Sequence, residues 1–152
     1  MQGILGDCKL NHVCIVTRDL EKTKNNYARL TGMAAPETIV NEDYANMHTW
    51  FKDLDASRSG LEQCTFAAEG GNVELIMPNT GPSAWNEYLD AHGEGLHHLC
   101  FEVKELDAVV ARCEENGMKK IQTGDFPGGH YAYVDATGFV GTYLELLEFL
   151  PE

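Results

Sequence analysis

Basic residues are scarce in this chain: 11 Lys and Arg stand against 24 Asp and Glu, a formal net charge of −13. That balance argues against nucleic acid, where affinity comes mainly from Lys and Arg on phosphates. It also disfavours an anionic membrane surface. The acids are scattered along the chain and read as a solvated, soluble surface. A small anionic substrate stays compatible, because a bound metal can outweigh the mean field locally. No apolar run approaches the ~20 residues of a membrane span. The segment Met1-Gln2-Gly3-Ile4-Leu5-Gly6-Asp7 has neither a basic region nor a long apolar core, so it is not expected to act as a signal peptide. The five cysteines (Cys8, Cys14, Cys64, Cys100 and Cys113) are odd in number and contain no C-x-x-C spacing. Reduced thiols in a cytoplasmic protein are the expectation.

What the chain does have is a repeat. Leu10-Asn11-His12-Val13-Cys14-Ile15 recurs as Leu96-His97-His98-Leu99-Cys100-Phe101. Each copy precedes a helix-like stretch ending in Gly-Met, at Gly32-Met33 and Gly117-Met118. Each half then closes on an apolar strand with one acid, Val73-Glu74-Leu75-Ile76 and Leu144-Glu145-Leu146-Leu147. Leu20, Thr23, Tyr27 and Leu30 fall at helical spacing behind a capping Asp19. Leu106, Val109, Val110 and Cys113 form an i, i+3, i+4, i+7 stripe. Residues 53–60 read as a polar loop, and 61–68 with 72–77 as a hairpin. Ser83 is placed to cap a short helix in the connector.

These patterns predict an α+β fold of one domain, residues 1–152. It would comprise two tandem βαβββ modules, 8–78 and 96–150, joined by a connector at 79–95. The strands would form a curved, mostly antiparallel sheet around a metal-binding cavity, with helices over the convex face. Strand alternation puts His12, Cys14 and Val16 on one face, and Glu74 with Ile76 on one face. Cys14 and Cys100 read as small buried hydrophobes beside the histidines.

Taken singly, a strand histidine is more often a hydrogen-bonded core residue, and a strand glutamate often marks a solvated face. The argument for a metal is joint. Both histidines hold one repeat position and both glutamates hold another. Two neutral imidazoles and two carboxylates cancel a +2 ion and leave open positions for water or substrate oxygens. Such an ion polarises a carbonyl and supports the enolate left when a neighbouring proton departs. The metal set is therefore His12, Glu74, His98 and Glu145. Repeat alignment selects His98 over His97, and parity is expected to turn His97 away.

This pattern resembles the vicinal oxygen chelate superfamily, which includes glyoxalase I, methylmalonyl-CoA epimerase, extradiol dioxygenases and fosfomycin-resistance proteins. The resemblance runs from about Leu10 to Leu147. It is carried by His12-Val13, Val73-Glu74-Leu75-Ile76-Met77-Pro78, Gly95-Leu96-His97-His98-Leu99 and Leu144-Glu145-Leu146. It implies the same four ligands and one divalent ion: Co, Ni, Mn, Zn or Fe. It also implies a small carbonyl substrate, an acyl-CoA among the options, and a homodimer. The nearest pattern is the epimerase, which often has Gln where Glu74 stands; Glu there is more like bacterial glyoxalase I. The arginine-rich glutathione-binding features of glyoxalase I are missing, as is the epimerase's His-Pro turn before the last strand.

The function expected is a metal-dependent isomerase or lyase, epimerase-like or glyoxalase I-like. Glu145 is the first candidate base and Glu62 the second, since the epimerase carries a glutamate base on the third strand of its first module. Gln63 competes with Glu62 for that register, and Gln63, His130 and Tyr133 are candidate substrate contacts. An Fe(II) extradiol-type oxygenase would use two histidines and one carboxylate, so a fourth ligand counts against it. A non-catalytic drug-binding protein of the same fold would not require four ligands.

Overall fold

The computed structural model describes residues 3–151; Met1, Gln2 and Glu152, at the ends of the 1–152 unit expected above, lie outside the described residues. Among the described residues, the first half carries β1 (Lys9–Val16), α1 (Leu20–Thr31), β2 (Ile39–Asn41), β3 (His48–Phe51), β4 (Leu54–Asp55), β5 (Leu61–Ala68) and β6 (Gly71–Pro78). A connector helix α2 (Ala84–His92) follows. The second half carries β7 (Gly95–Glu102), α3 (Leu106–Glu115), β8 (Lys119–Phe126), β9 (Gly129–Ala136), α4 (Thr137–Val140) and β10 (Thr142–Phe149).

The ten strands make one curled sheet in the order β2-β5-β6-β1-β7-β10-β9-β8-β3-β4. The α+β class and the mostly antiparallel sheet are as expected. Among these strands only β1–β6 and β7–β10 run parallel. The two repeat strands, β1 and β7, lie antiparallel at the centre and join the halves.

Local signals explain the helix ends. The Asp19 carboxylate accepts from the Lys22 amide at 3.0 Å and starts α1. Gly32, at φ 73, closes it with a left-handed turn. Ser83 caps α2 by accepting from the Asn86 amide. On the convex side, α1 packs Leu20 and Tyr27 against Ile15, Cys64, Phe66 and Leu75. In the second half, the α3 stripe packs against Ala132, Val134, Leu144 and Leu146.

Three local expectations need correction. The hairpin β3–β4 does not stay with its own half; β3 pairs with β8, so the first module is not self-contained. Part of the polar loop expected at 53–60 is the two-residue strand β4, which sits at the edge of the sheet with Leu54 and Asp55 exposed. Finally, of the three longer helices, α1 and α3 take the convex face and α2 does not. Helix α2 enters the hollow, and its Trp85 and Leu89 pack with Cys14, Val16, Ile76 and Tyr133. Gln122 fixes its start by accepting from the Ala84 amide at 2.8 Å.

Candidate metal centre and active site

Two rungs on the same face of the central sheet, separated by the Val13 rung, build the site. One rung aligns Glu74 on β6, Cys14 on β1 and His98 on β7. The other aligns His12 on β1, Cys100 on β7, Glu145 on β10 and Tyr133 on β9. The small thiols of Cys14 and Cys100 therefore lie between the four longer side chains and leave room above them. Both cysteines are fully buried. Burial, with Glu74 and Glu145 nearby, pushes both thiols well above their usual range, so they remain protonated packing groups. All five cysteines are unpaired.

The four predicted ligands converge. Each of His12, Glu74, His98 and Glu145 offers one atom, and no two of these atoms are more than 4.8 Å apart. His12 Nε2 lies 3.1 Å from Glu74 Oε2, 3.1 Å from Glu145 Oε2 and 3.2 Å from His98 Nε2. His98 Nε2 lies 3.0 Å from Glu145 Oε2 and 3.9 Å from Glu74 Oε2. With metal–ligand bonds of about 2.1 Å, neighbouring octahedral ligands stand about 3 Å apart. The separations match that spacing.

The proton arrangement makes the case for a cation. Asn11 Oδ1 can only accept, so at 2.9 Å it takes the Nδ1 proton of His12. In the neutral ring this leaves Nε2 bare. In the second half the carbonyl of Ala84 can only accept, so His97 donates to it from Nε2 at 3.3 Å. His97 Nδ1 is then bare and accepts from His98 Nδ1 at 2.8 Å, leaving His98 Nε2 bare as well. Glu145 Oε2 is buried without a hydrogen bond. Two nitrogen lone pairs and two carboxylates thus face one point with no donor among them. A divalent ion fits that set; a metal-ligating histidine whose other nitrogen is held by a hydrogen bond is the usual arrangement.

The electrostatics agree. Burial disfavours charge on His12, but Glu145 and Glu74 raise it to about 10, so without an ion the cluster recruits a proton. Burial would raise the Glu145 carboxyl; His98 and His12 outweigh it and hold the group well below the usual carboxylate range. His97 is lowered to about 3 by burial and by His98, so it stays neutral.

His97 is also a correction to the parity argument. Leu96 pairs with Ile15 and His98 with Cys14, so the pairing skips His97 as a β-bulge. The bulge keeps its ring beside His98 and edge-on to Tyr133 rather than turning it away. Asn11 is skipped in the same manner between Leu10 and His12. The positioning role of Asn11 and His97 had no signal in spacing alone.

Next to the four ligands lies a cavity of about 320 Å³. Gln63, Tyr131 and Tyr133 line it; Glu62 and His130 do not. Alternation explains both exclusions. Glu62 pairs with Val40 and Met77, and Met77 packs under α1 on the convex side. His130 pairs with Glu148 in the register and hydrogen-bonds its carboxylate at 2.8 Å, also on the outer face. Glu62, expected as a second base, and His130, expected as a substrate contact, thus both lie away from this cavity. Trp85, unpredicted, lines the cavity and donates from Nε1 to the Tyr133 hydroxyl at 3.1 Å. Burial raises the phenols of Tyr131 and Tyr133, so both stay protonated.

Residues 11–134 match the model of the Glyoxalase/Bleomycin resistance protein/Dioxygenase superfamily. The chain belongs to that superfamily. Within it, the chain is 23% identical over 129 residues to the mitochondrial methylmalonyl-CoA epimerase of Dictyostelium discoideum, covering 84% of this chain and 69% of that protein. It is 25% identical over 120 residues to the ethylmalonyl-CoA/methylmalonyl-CoA epimerase of Cereibacter sphaeroides, covering 77% of each. The fold of the Mycobacterium tuberculosis methylmalonyl-CoA epimerase superposes with a TM-score of 0.63 at 21% identity, covering 93% of this chain and 88% of that one. Superfamily membership and the four-residue group together mark this as a candidate metal-binding centre.

Proposed function

We propose that this protein is a metal-dependent epimerase or isomerase that removes a proton from the carbon next to a carbonyl. The observation that carries the reading is the convergence of His12, Glu74, His98 and Glu145 on one donor-free point beside an apolar cavity. When bound there, a divalent ion supplies a Lewis acid that stabilises negative charge on a substrate oxygen. The protein's own groups do the rest. Glu145 is ionised at neutral pH and borders the cavity; as general base it accepts the proton and gives one back to the other face of the same carbon, or to a neighbouring atom, which completes the isomerisation. Trp85 and Tyr133 wall off water above the ligands, and Gln63 offers an amide to a substrate oxygen.

The relatives named as epimerases support this reading over a glyoxalase-type lyase. Glu74 within reach of His12 supports it over a three-ligand oxygenase. The proposal includes a homodimer in the cytoplasm, with 1–152 as one domain. Among the described residues no helix is long and apolar enough to cross a membrane.

The test is direct. Chelated and refilled protein, loaded in turn with Co, Ni, Mn, Zn or Fe(II), is incubated with carbonyl compounds carrying an acidic α-hydrogen in D2O. Metal-dependent deuterium uptake at that carbon is expected. Oxygen consumption with a catechol, or stoichiometric binding with no exchange, would replace the proposal with an oxygenase or a binding protein.

A further inference from the structure

The walls of the cavity say which substrates that chemistry can serve, a specificity that rests on the isomerase reading of the metal point. Among the described residues, no lysine or arginine lines the cavity. Its charged groups are acids: Glu74 and Glu145 at the metal point, Asp43 at the mouth, and Asp125 at a lip shared with the outer groove. Basic side chains are engaged elsewhere. Lys52 pairs with Glu87, Lys120 with Asp53, Arg18 with Asp90 and Lys24 with Glu21. Arg58 is the one lysine or arginine next in sequence to a lining residue. It is exposed and outside the lining.

The charge balance is unfavourable to an anion. Glu74 and Glu145 offset the formal charge of a divalent ion, so the site has no net positive charge in reserve for a carboxylate on top of the negative charge that develops on the substrate oxygen. Asp43, and a chain carrying −13 overall, add a negative field at the entrance. A carboxylate held anywhere but on the ion's open positions would lose its water without meeting a basic side chain, and an unpaired buried carboxylate is strongly disfavoured. The remaining wall is mainly apolar and aromatic, including Leu61, Ile76, Trp85, Tyr131 and Leu147. Asn41, Thr49, Ser57, Ser59 and Gln63 add neutral polar groups to it. Such a surface gains from burying hydrocarbon, with a few polar groups to orient it.

We propose that the substrate is uncharged on both sides of its acidic carbon: a hydrophobic dicarbonyl compound rather than a carboxylate-bearing malonyl group. This separates the chain from the malonyl thioesters for which its relatives are named. Specificity arises from the missing cation as much as from the apolar wall, since an unmatched charge is what the site rejects.

Two probes differ only at that position. Ethyl 2-methylacetoacetate carries an acetyl group where the monoethyl ester of methylmalonate carries a carboxylate. Binding of each to the metal-loaded protein is read by quenching of tryptophan fluorescence, since Trp85 lines the cavity. Exchange of the α-hydrogen in D2O is read in parallel. The neutral probe is expected to bind at least tenfold more tightly. Asp43→Asn should narrow that gap, and Arg58→Ala should change neither affinity. Equal or tighter binding of the anion, or failure of both probes to bind, overturns the proposal. So does an anion affinity that collapses in Arg58→Ala. Selective binding of the neutral probe with no exchange under any metal leaves the cavity assignment standing and removes the isomerase reading instead.

Discussion

The two halves supply the same ligands but hold them differently. In the first half, Asn11 fixes His12 with a side-chain oxygen, and the Asn11 carbonyl accepts from Asn72 Nδ2 at 3.3 Å on the neighbouring strand β6. In the second half, His97 fixes His98 with a ring nitrogen and passes the constraint on to the Ala84 carbonyl at the start of α2. One ligand is set by its neighbour; the other is set by a helix that fills the hollow. The proton preferences differ as well, for separate reasons: at His12 burial is outweighed by Glu145 and Glu74, and at His97 burial and His98 act together. His12 is raised to about 10 and His97 is lowered to about 3. The wall differs too: Tyr131 and Tyr133 stand on the second half, against Leu61 and Gln63 on the first. Duplication thus provides a symmetric metal point, and departures from symmetry provide orientation and a shaped cavity.

The largest effects should ignore the asymmetry. His12→Ala and His98→Ala each remove one of four converging donors, and both should lose bound metal, measured by elemental analysis after dialysis. Retention of full metal by either variant would remove that histidine from the set. The carboxylates should then separate the halves. Glu145→Gln is expected to lower turnover by about 10²–10⁴-fold, the usual contribution of a general base, with a smaller change in metal content. An unchanged rate would take the base role away from Glu145.

The next prediction tests the relay. His97→Leu deletes the acceptor for His98 Nδ1 and should weaken metal affinity about 10–100-fold, as loss of an outer partner typically does. His97→Asn recreates in the second half what Asn11 does in the first, and should recover most of that affinity in a competition titration. If both substitutions weaken binding equally, His97 acts through packing against Tyr133 and Tyr143 rather than through its nitrogen.

Proton release sharpens the same contrast. In the metal-free protein His12 carries a proton up to about pH 10. An ion must displace it, so binding at pH 7–8 should release about one proton, detectable in buffers of different ionisation enthalpy. Apparent affinity should rise with pH until His12 is neutral near 10. The stability sign is opposite. A raised folded pKa means the His12 contribution is fully present below its unfolded value near 6.5 and is lost as pH rises toward 10. Metal-free protein should therefore become less stable over that range, and His12→Ala should flatten this component. His97 titrates in the other direction. Its lowered pKa leaves stability intact above about 6.5 and erodes it as pH falls toward 3.

Much of the site is legible from the repeat. Equivalent positions single out His12, Glu74, His98 and Glu145 without any contact information, because a duplicated fold preserves strand register. Alternation places Cys14 beside His12 and Gln63 within reach of the cavity. What alternation cannot supply is the bulge at His97, where one extra residue changes which side a ring takes. Pairing of β3 with β8 is equally hidden, since a short edge strand of mixed polarity carries no mark of its partner. Helix α2 is visible through Ser83, but its place in the hollow depends on Gln122 and Tyr133, 38 and 48 positions beyond their partners Ala84 and Trp85. Proximity along a strand points to His130 and Glu62; the side each residue faces takes both away from the cavity.

The smallest expected effect concerns the wall that only the second half provides. Gly124 on β8 pairs with Tyr131, and a Cβ there would collide with the Tyr131 ring. Glycine thus lets the ring lie across the neighbouring strand, where its hydroxyl accepts from Gln122 Nε2 at 3.1 Å. Gly124→Ala should push Tyr131 toward the cavity and cost about 1–3 kcal/mol, as overpacking of a filled site does. The four ligands sit on other strands, so metal content should not change. Affinity for an uncharged dicarbonyl should fall, because the ring would occupy part of its space. A variant that loses metal along with ligand affinity would show that the aromatic wall and the metal point move as one body. In that case the second half would position both through the same contacts.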